Sequence, residues 1–293
     1  MNLNQLRNPV WRRSDNLRDP AVLPVEDGYT LFYSRFSNSD WQREENWSIA
    51  SVFTQDFVEF ENDRDITPKG FASPGDPVWW HGRYLIPYQK YPVAPARLCY
   101  SESVDLRQWS DPTFFLEEAN RLPWNRHKRV IDPAFVVDGE SLHCFFVGSS
   151  DTEEEGHHAN LLGHAVTTDG DLRDWTILTP EEPLIGRSER AYDGVENVTV
   201  FKTGDQWIMI YSEGLADQHL AYAESPDLTH WTLRGPIDLP VQKWMQRRYG
   251  APFVWKEGER WMMILMGRDA DNHTQFGLLT SNNGIDWSPL QER

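Results

Sequence analysis

Short runs of alternating apolar and polar residues, each broken by a tight turn, recur along the chain. The clearest is Arg129–Gly148, RVIDPAFVVDGESLHCFFVG. A strand opens at Asp132-Pro133, the chain turns at Asp138-Gly139, and a second apolar strand covers Leu142–Val147. Period-two alternation around an Asp-Gly turn is the pattern of a β-hairpin. Related stretches follow Asp19 (DPAVLPVEDGYTLFYSR), Asp76 (DPVWWHGRYLIPYQK), Glu196 (ENVTVFKTGDQWIMIYSEG) and Ala251 (APFVWKEGERWMMILMGRD). Five copies of one hairpin make this a repeat protein.

A second element accompanies each hairpin. SxDLxxW occurs at Ser103–Trp109 and Ser225–Trp231, and looser versions end at Phe60, Trp175 and Trp287. Each unit therefore reads as two hairpin strands, a third strand such as Leu98–Ser101 or Leu220–Ala223, this turn, and a short fourth strand. Four antiparallel strands repeated at this spacing predict an all-β, five-bladed β-propeller. The expected boundaries are 19–62, 76–112, 132–180, 196–236 and 251–290, within one domain spanning 1–293. The aromatic is expected to pack between blades, and the Asp or Asn before it to cap the turn. Trp287–Leu290 can supply the last blade's fourth strand, so closure by an N-terminal strand is not required.

Composition narrows the function. The 293 residues carry a formal charge of −17, and Trp, Phe and Tyr number 14, 14 and 10. An acidic surface excludes nucleic acid and anionic membranes as partners, because phosphate binding needs basic residues. It leaves neutral small molecules such as sugars open. Cys99 and Cys144 each fall inside a strand and read as buried thiols. MNLNQLRNPVWRR contains no apolar stretch of a secretion signal, and no run is long enough to span a membrane, so the expected location is cytoplasmic.

Propeller geometry brings residues distant in sequence together. The innermost strands line a central channel, so equivalent positions at their starts converge at one face. Aligning the hairpins puts Asp19, Asp76, Asp132, Glu196 and Ala251 there. Asp-Pro alone is a good strand opener, since the residue before Pro prefers extended backbone and Asp caps turns. That does not account for Glu196, which Asn follows, nor for four acids in one ring, where like charges raise pKa values and destabilise the site. The second strands end at the same face, at Arg35, Lys90, Ser149, Glu213 and Arg268. Long loops there carry Trp124, His127, His157, His158, Trp244, Arg247, Arg248 and Tyr249. Aromatics suit the apolar faces of sugar rings and Arg or His suits hydroxyls, so Trp124, Tyr249, Arg248, Arg268, Arg35, Glu213 and Asp76 are the candidate substrate-binding residues. Acids around such a pocket suggest cleavage of a glycosidic bond.

At LRDPAV around Asp19, VIDPAF around Asp132 and GVENVT around Glu196, the chain resembles glycoside hydrolase family 43 and, more distantly, family 32. The resemblance runs through the blade repeats over nearly the whole chain. It implies Asp19 as base, Asp132 as the group that tunes the acid, Glu196 as general acid, and a single-step inverting hydrolysis of short arabinofuranosyl, xylosyl or related oligosaccharides. Asp76 is a fourth acid beyond that pattern, and Glu213 is a rival for the acid's role. The Asn-Asp-Pro-Asn of family 32 is replaced by Arg18-Asp19-Pro20-Ala21. No cofactor is implied for catalysis. Family members often hold a calcium ion in the channel near a blade-five His, which points to His273. Two alternatives stay open. A phosphorylase or transferase would need a basic cluster, with Arg35, Arg247, Arg248 and Arg268 as candidates. A non-catalytic sugar-binding propeller would turn over no substrate and would keep its binding in Asp19→Asn and Glu196→Gln.

Overall fold

The computed structural model describes residues 1–37, 40–152, 157–186, 194–214 and 217–293, with backbone alone at 151, 152, 157 and 158. Its strands form five separate antiparallel sheets. The first holds β1 (Asn16–Val25), β2 (Gly28–Phe36), β3 (Trp47–Thr54) and β4 (Glu61–Asp65). In the second, β5 (Phe71–Ala72) and β6 (Val78–Trp80) both pair with β7 (Arg83–Lys90), followed by β8 (Arg97–Ser103) and β9 (Thr113–Phe114). The third holds β10 (Ile131–Asp138), β11 (Ser141–Thr152), β12 (His157–Thr167) and β13 (Thr176–Ile177). The fourth holds β14 (Val195–Thr203), β15 (Gln206–Glu213), β16 (His219–Ser225) and β17 (Thr232–Pro236). The fifth holds β18 (Arg248–Glu257), β19 (Arg260–Arg268), β20 (Thr274–Ser281) and β21 (Ser288–Pro289). These are the blades of a five-bladed β-propeller.

The hydrophobic core is divided among the interfaces between blades. Ala134, Phe145 and Val147 of blade three pack with Val200, Met209 and Ala223 of blade four, and Ile208 and Ile210 of blade four pack with Val254 and Met263 of blade five. Residues on one face of each strand thus meet the opposite face of the next sheet. The turn aromatics take part as expected. Trp231 meets Phe145 edge-on, with ring centroids 5.9 Å apart, and Trp109 meets Phe32 at 5.5 Å. Burying a side chain such as Phe145 is worth roughly 1.5–3 kcal/mol, and an edge-on ring pair adds about 0.5–1.5 kcal/mol.

The capping expected of the turns is present. Asp105 Oδ1 accepts the N–H groups of Arg107 and Gln108, and Asp227 Oδ1 those of Thr229 and His230. The intervening Leu106 and Leu228 have φ of +60° and +66°. The aspartate compensates for that left-handed backbone by satisfying two amide donors at once. Both cysteines are buried and free.

Two features differ from the repeat read in the sequence. Blade two begins at Phe71, not at Asp76, because its innermost strand is interrupted by Ser73–Pro77 and resumes as β6. The N-terminal segment also has a structural role. Val10 N–H donates to Phe276 O (2.9 Å) and Phe276 N–H to Trp11 O (3.0 Å). The side chain of the fully buried Asn8 donates to Leu278 O (2.9 Å) and accepts from Leu278 N–H (2.8 Å). The segment therefore clips the outer edge of blade five before the chain enters β1, which ties the last blade to the first.

Candidate active site

Four of the innermost strands carry a bulge at the same register, at Asp19-Pro20, Asp132-Pro133, Asn197-Val198 and Ala251-Pro252. In blade two the corresponding pair is Ser73-Pro74, where β5 ends. The first residue of every pair is left-handed: φ is +53° at Asp19, +53° at Ser73, +49° at Asp132, +46° at Asn197 and +50° at Ala251. An Asp before Pro would ordinarily be extended, and a non-glycine residue held at positive φ costs about 1–3 kcal/mol. Five such residues in one ring aim the bulges at the axis. All ten residues, with Gly75 and Asp76, line one axial cavity of about 20 Å³, the space of a single water-sized group.

Hydrogen bonds between neighbouring blades fix the ring. Ser34 Oγ accepts the N–H of Ser73 (2.7 Å) and donates its proton to Asp19 Oδ2 (2.8 Å). Gln89 Oε1 accepts the N–H of Asp132, and Ser212 Oγ that of Ala251 (2.8 Å). Ser34, Gln89 and Ser212 occupy one position in their second strands, opposite the residue that precedes the bulge. Bulge and clasp are therefore repeated features of the fold.

Asp19, Asp132 and Glu196 share this end of the channel. The Ser73 hydroxyl donates to Asp19 Oδ2 at 3.2 Å and also bonds Asp132, so one side chain touches both acids. Glu196 precedes its bulge and rises toward the channel mouth, with 20% of its side chain exposed. Asn160 Nδ2 donates to its Oε1 (2.6 Å), Gln218 Nε2 reaches Oε2 at 3.5 Å, and the Arg129 guanidinium stands 4.0 Å away. All three carboxyls titrate above the ordinary carboxylate range. Burial raises Asp19, partly offset by Ser34 and by the charge of Arg18. Asp132 is raised well above that range by burial and then by the charges of Glu196 and Asp19. Burial also raises Glu196, against the pull of Arg129. Asp132 and Glu196 are coupled, so the charge on one hinders ionisation of the other.

The other candidates divide. Asp76 is not part of the ring, since Ser73 holds that place. It sits deeper in the channel, accepts a hydrogen bond from Thr199 Oγ1 (2.9 Å) and one from Val200 N–H, and titrates near 8 because it is buried. Arg35 is turned away toward the outermost strand, where it pairs with Asp63 and, at 2.7 Å, with Asp65. Trp124 is not a platform for sugar. It is buried over Gly148 and Gly163, where a Cβ would fall 2.4 and 2.9 Å from its ring atoms, and its Nε1 donates to Thr179 O. Trp244 fills the same kind of niche over Gly267 and Gly277.

Glu213 is buried at the end of β15, 3.1 Å from His219 Nε2. Tyr249 packs against the core between blades four and five, and burial raises its hydroxyl pKa. Arg248 lies at the channel mouth, where its charge acts on Glu196, and Arg268 faces it across the strand pair. His273 stands in the β19–β20 turn with 55% of its side chain exposed, outside the residues that line the axial cavity. With Asp269 and Asp271 it could offer a cation three ligand atoms within 4.8 Å. Asp269 Oδ1 already accepts two backbone N–H groups of the turn, from Asp271 and His273, and calcium takes six to eight oxygens. The turn does not fit a calcium cage. The side chains of His157 and His158 lie outside the described residues, as do residues 187–193.

Solved structures with the same architecture follow from this geometry. The chain superposes on a thermostable family-43 glycoside hydrolase with a TM-score of 0.72 at 15% identity, covering 97% of this chain and 96% of that one. An α-L-arabinanase from Cellvibrio cellulosa gives 0.68 at 15% identity (95% and 99%). An α-L-arabinofuranosidase from Podospora anserina, in complex with cellotriose, gives 0.69 at 12% identity (92% and 91%). The fold is shared with glycoside hydrolases. No protein-family model and no curated protein matches the chain by sequence.

Ser73, Ser34, Asn160, Gln218, Arg18 and Arg129 all belong to the site and were not among the sequence candidates. Ser73 had a signal: Ser73-Pro74 and Asp76-Pro77 both end in the Pro found at the bulges of three other blades, and the acid drew attention to the wrong one. Asn160 and Gln218 reach Glu196 from the third strand of blade three and from the β15–β16 loop, and no local pattern marks such a contact.

Proposed function

We propose that the protein is a glycoside hydrolase acting on short oligosaccharides, with arabinofuranosyl and xylosyl linkages the first to test. The observation that carries this reading is the meeting of Asp19, Asp132 and Glu196, from blades one, three and four, at one end of a closed channel. Glycosidic cleavage needs one carboxylic acid to protonate the leaving oxygen and one carboxylate on the opposite face of the sugar.

Asp19 suits the base. Its two serine donors and the nearby Arg18 favour the ionised form, and they fix the direction in which its free oxygen accepts a proton. Glu196 suits the acid. It stands at the mouth, where a leaving group departs, held by Asn160 and Gln218, and burial together with its coupling to Asp132 raises its pKa and so favours the protonated form an acid needs. In the proposed step Asp19 removes a proton from water as its oxygen bonds to the anomeric carbon. The bond from that carbon to the leaving oxygen breaks, and Glu196 supplies the proton that oxygen takes. The configuration inverts, Asp19 releases to solvent the proton it took from water, and Glu196 regains one. Asp132 touches neither reacting atom in this scheme and acts through Glu196. Arabinanase and arabinofuranosidase structures of the same fold support the choice of linkages to test.

A panel of aryl glycosides assayed with the protein and with Asp19→Asn tests the reading. Turnover that falls by roughly 10²–10⁴ in a folded Asp19→Asn supports Asp19 as the base. Equal turnover in both proteins, or no turnover of any glycoside, overturns it.

A further inference from the structure

Several arginines of this acidic chain are neutralised where they stand. Arg13 pairs with Asp15 and Asp63, Arg83 with Glu102, and Arg234 with Glu224. The channel mouth differs. Arg248 and Arg268 are directly opposed in the β18–β19 ladder, an arrangement that is destabilising for like charges. Arg18, from the adjoining β1, faces the same two residues, and its guanidinium lies over the rings of Phe36 and Trp47 at 5.8 and 5.4 Å. Arg268 is half-buried, and its pKa falls to about 10 through burial and the charges of Arg248 and Arg18. Neither Arg18 nor Arg268 forms an ion pair among the described residues, and the Nε of each is buried without a hydrogen-bond acceptor.

We propose that Arg18, Arg248 and Arg268 form an oxyanion subsite that takes an anionic group carried by the substrate itself, such as the carboxylate of a uronosyl residue. A guanidinium fork matches a carboxylate in two parallel hydrogen bonds, and an anion bound between these forks would offset the repulsion between the opposed Arg248 and Arg268. Arg248 also acts on Glu196 and Arg18 on Asp19, so the anion would lie within one sugar of the bond to be cleaved. Free phosphate as a nucleophile is the other source of such an anion. It would have to approach on the side of Asp19, whose carboxylate repels it. The assignment to the substrate rests on the hydrolase reading. The existence of the subsite does not.

The test is calorimetric titration of the full chain with glucuronate and galacturonate, with glucose and galactose as neutral controls, and with inorganic phosphate. The uronates are expected to bind at least tenfold more tightly than their neutral counterparts, and Arg268→Gln to erase that difference. Arg268→Gln should also raise the melting temperature of the ligand-free protein, because it removes one of two opposed charges; a purely structural arginine would lower it. Arg268→Lys, which keeps the charge without the fork, should bind uronate with intermediate affinity and provides the test if the glutamine variant does not fold. Equal affinity for charged and neutral sugars, or no binding of either, overturns the proposal. Binding of phosphate alone, dependent on Arg268, overturns its assignment to the substrate. Because binding is read without turnover, uronate binding by a protein that cleaves no glycoside would refute hydrolysis and leave the subsite standing.

Discussion

Asp76 crosses the axis of the propeller. It belongs to blade two, yet its hydrogen bonds come from Thr199 and Val200 of blade four. Burial is the dominant influence on it and no charged neighbour contributes, so its pKa of about 8, against 3.8 in the unfolded chain, measures the cost of placing a carboxylate in the channel. At about 1.4 kcal/mol for each tenfold change in the proton equilibrium, ionisation there costs on the order of 5 kcal/mol. The native state keeps a proton that the unfolded chain has lost, so stability falls as pH rises from about 4 to about 8 and then levels off. Asparagine has the same shape and an oxygen to accept from Thr199, but it cannot ionise. The difference in unfolding free energy, Asp76→Asn minus wild type, should therefore grow by about 4 kcal/mol between pH 5 and pH 9. Urea unfolding at each pH measures it, and contributions of the distant acids cancel in the subtraction. A difference that stays constant across this range would refute the argument.

Three further outcomes follow from the same reasoning. Asn8→Ala leaves the buried Leu278 N–H without an acceptor and opens the clip on blade five, so urea unfolding should show a loss of about 2–4 kcal/mol. Gly163→Ala places a methyl 2.4 Å from the Phe146 ring and 2.9 Å from Trp124, which should cost about 1–3 kcal/mol and change the near-ultraviolet circular dichroism of the tryptophans. In Asp132→Asn, Glu196 no longer shares a proton with a coupled acid and its pKa falls. The alkaline limb of the pH–rate profile should move to lower pH, and an unmoved limb would remove Asp132 from its tuning role.

The repeat architecture was legible because it depends on local rules. Period-two alternation, Gly-containing turns and the SxDLxxW element each act over a few residues, and together they predict five blades. Asp19 and Asp132 were legible for the same reason: each stands before Pro at the bulge that opens its strand. Blade two was misread because its inner strand is broken, and the choice between Ser73-Pro74 and Asp76-Pro77 depends on how β7 pairs with its neighbours. Trp124 was misread because its environment is set by Gly148 and Gly163, in strands of the following blade. Arg35 was misread because Asp63 and Asp65 reach it from the outermost strand of its own blade. In each case the missing information was a contact between strands.

Whether Asp19 and Glu196 act on one bond is read most directly from a double-mutant comparison on the best aryl glycoside. Each single change, Asp19→Asn or Glu196→Gln, should lower kcat/KM by roughly 10²–10⁴. If both serve one step, the double variant should lose little more than the worse single variant. Losses that multiply in full would mean that the two acids work independently, contrary to a single site at the mouth of the channel.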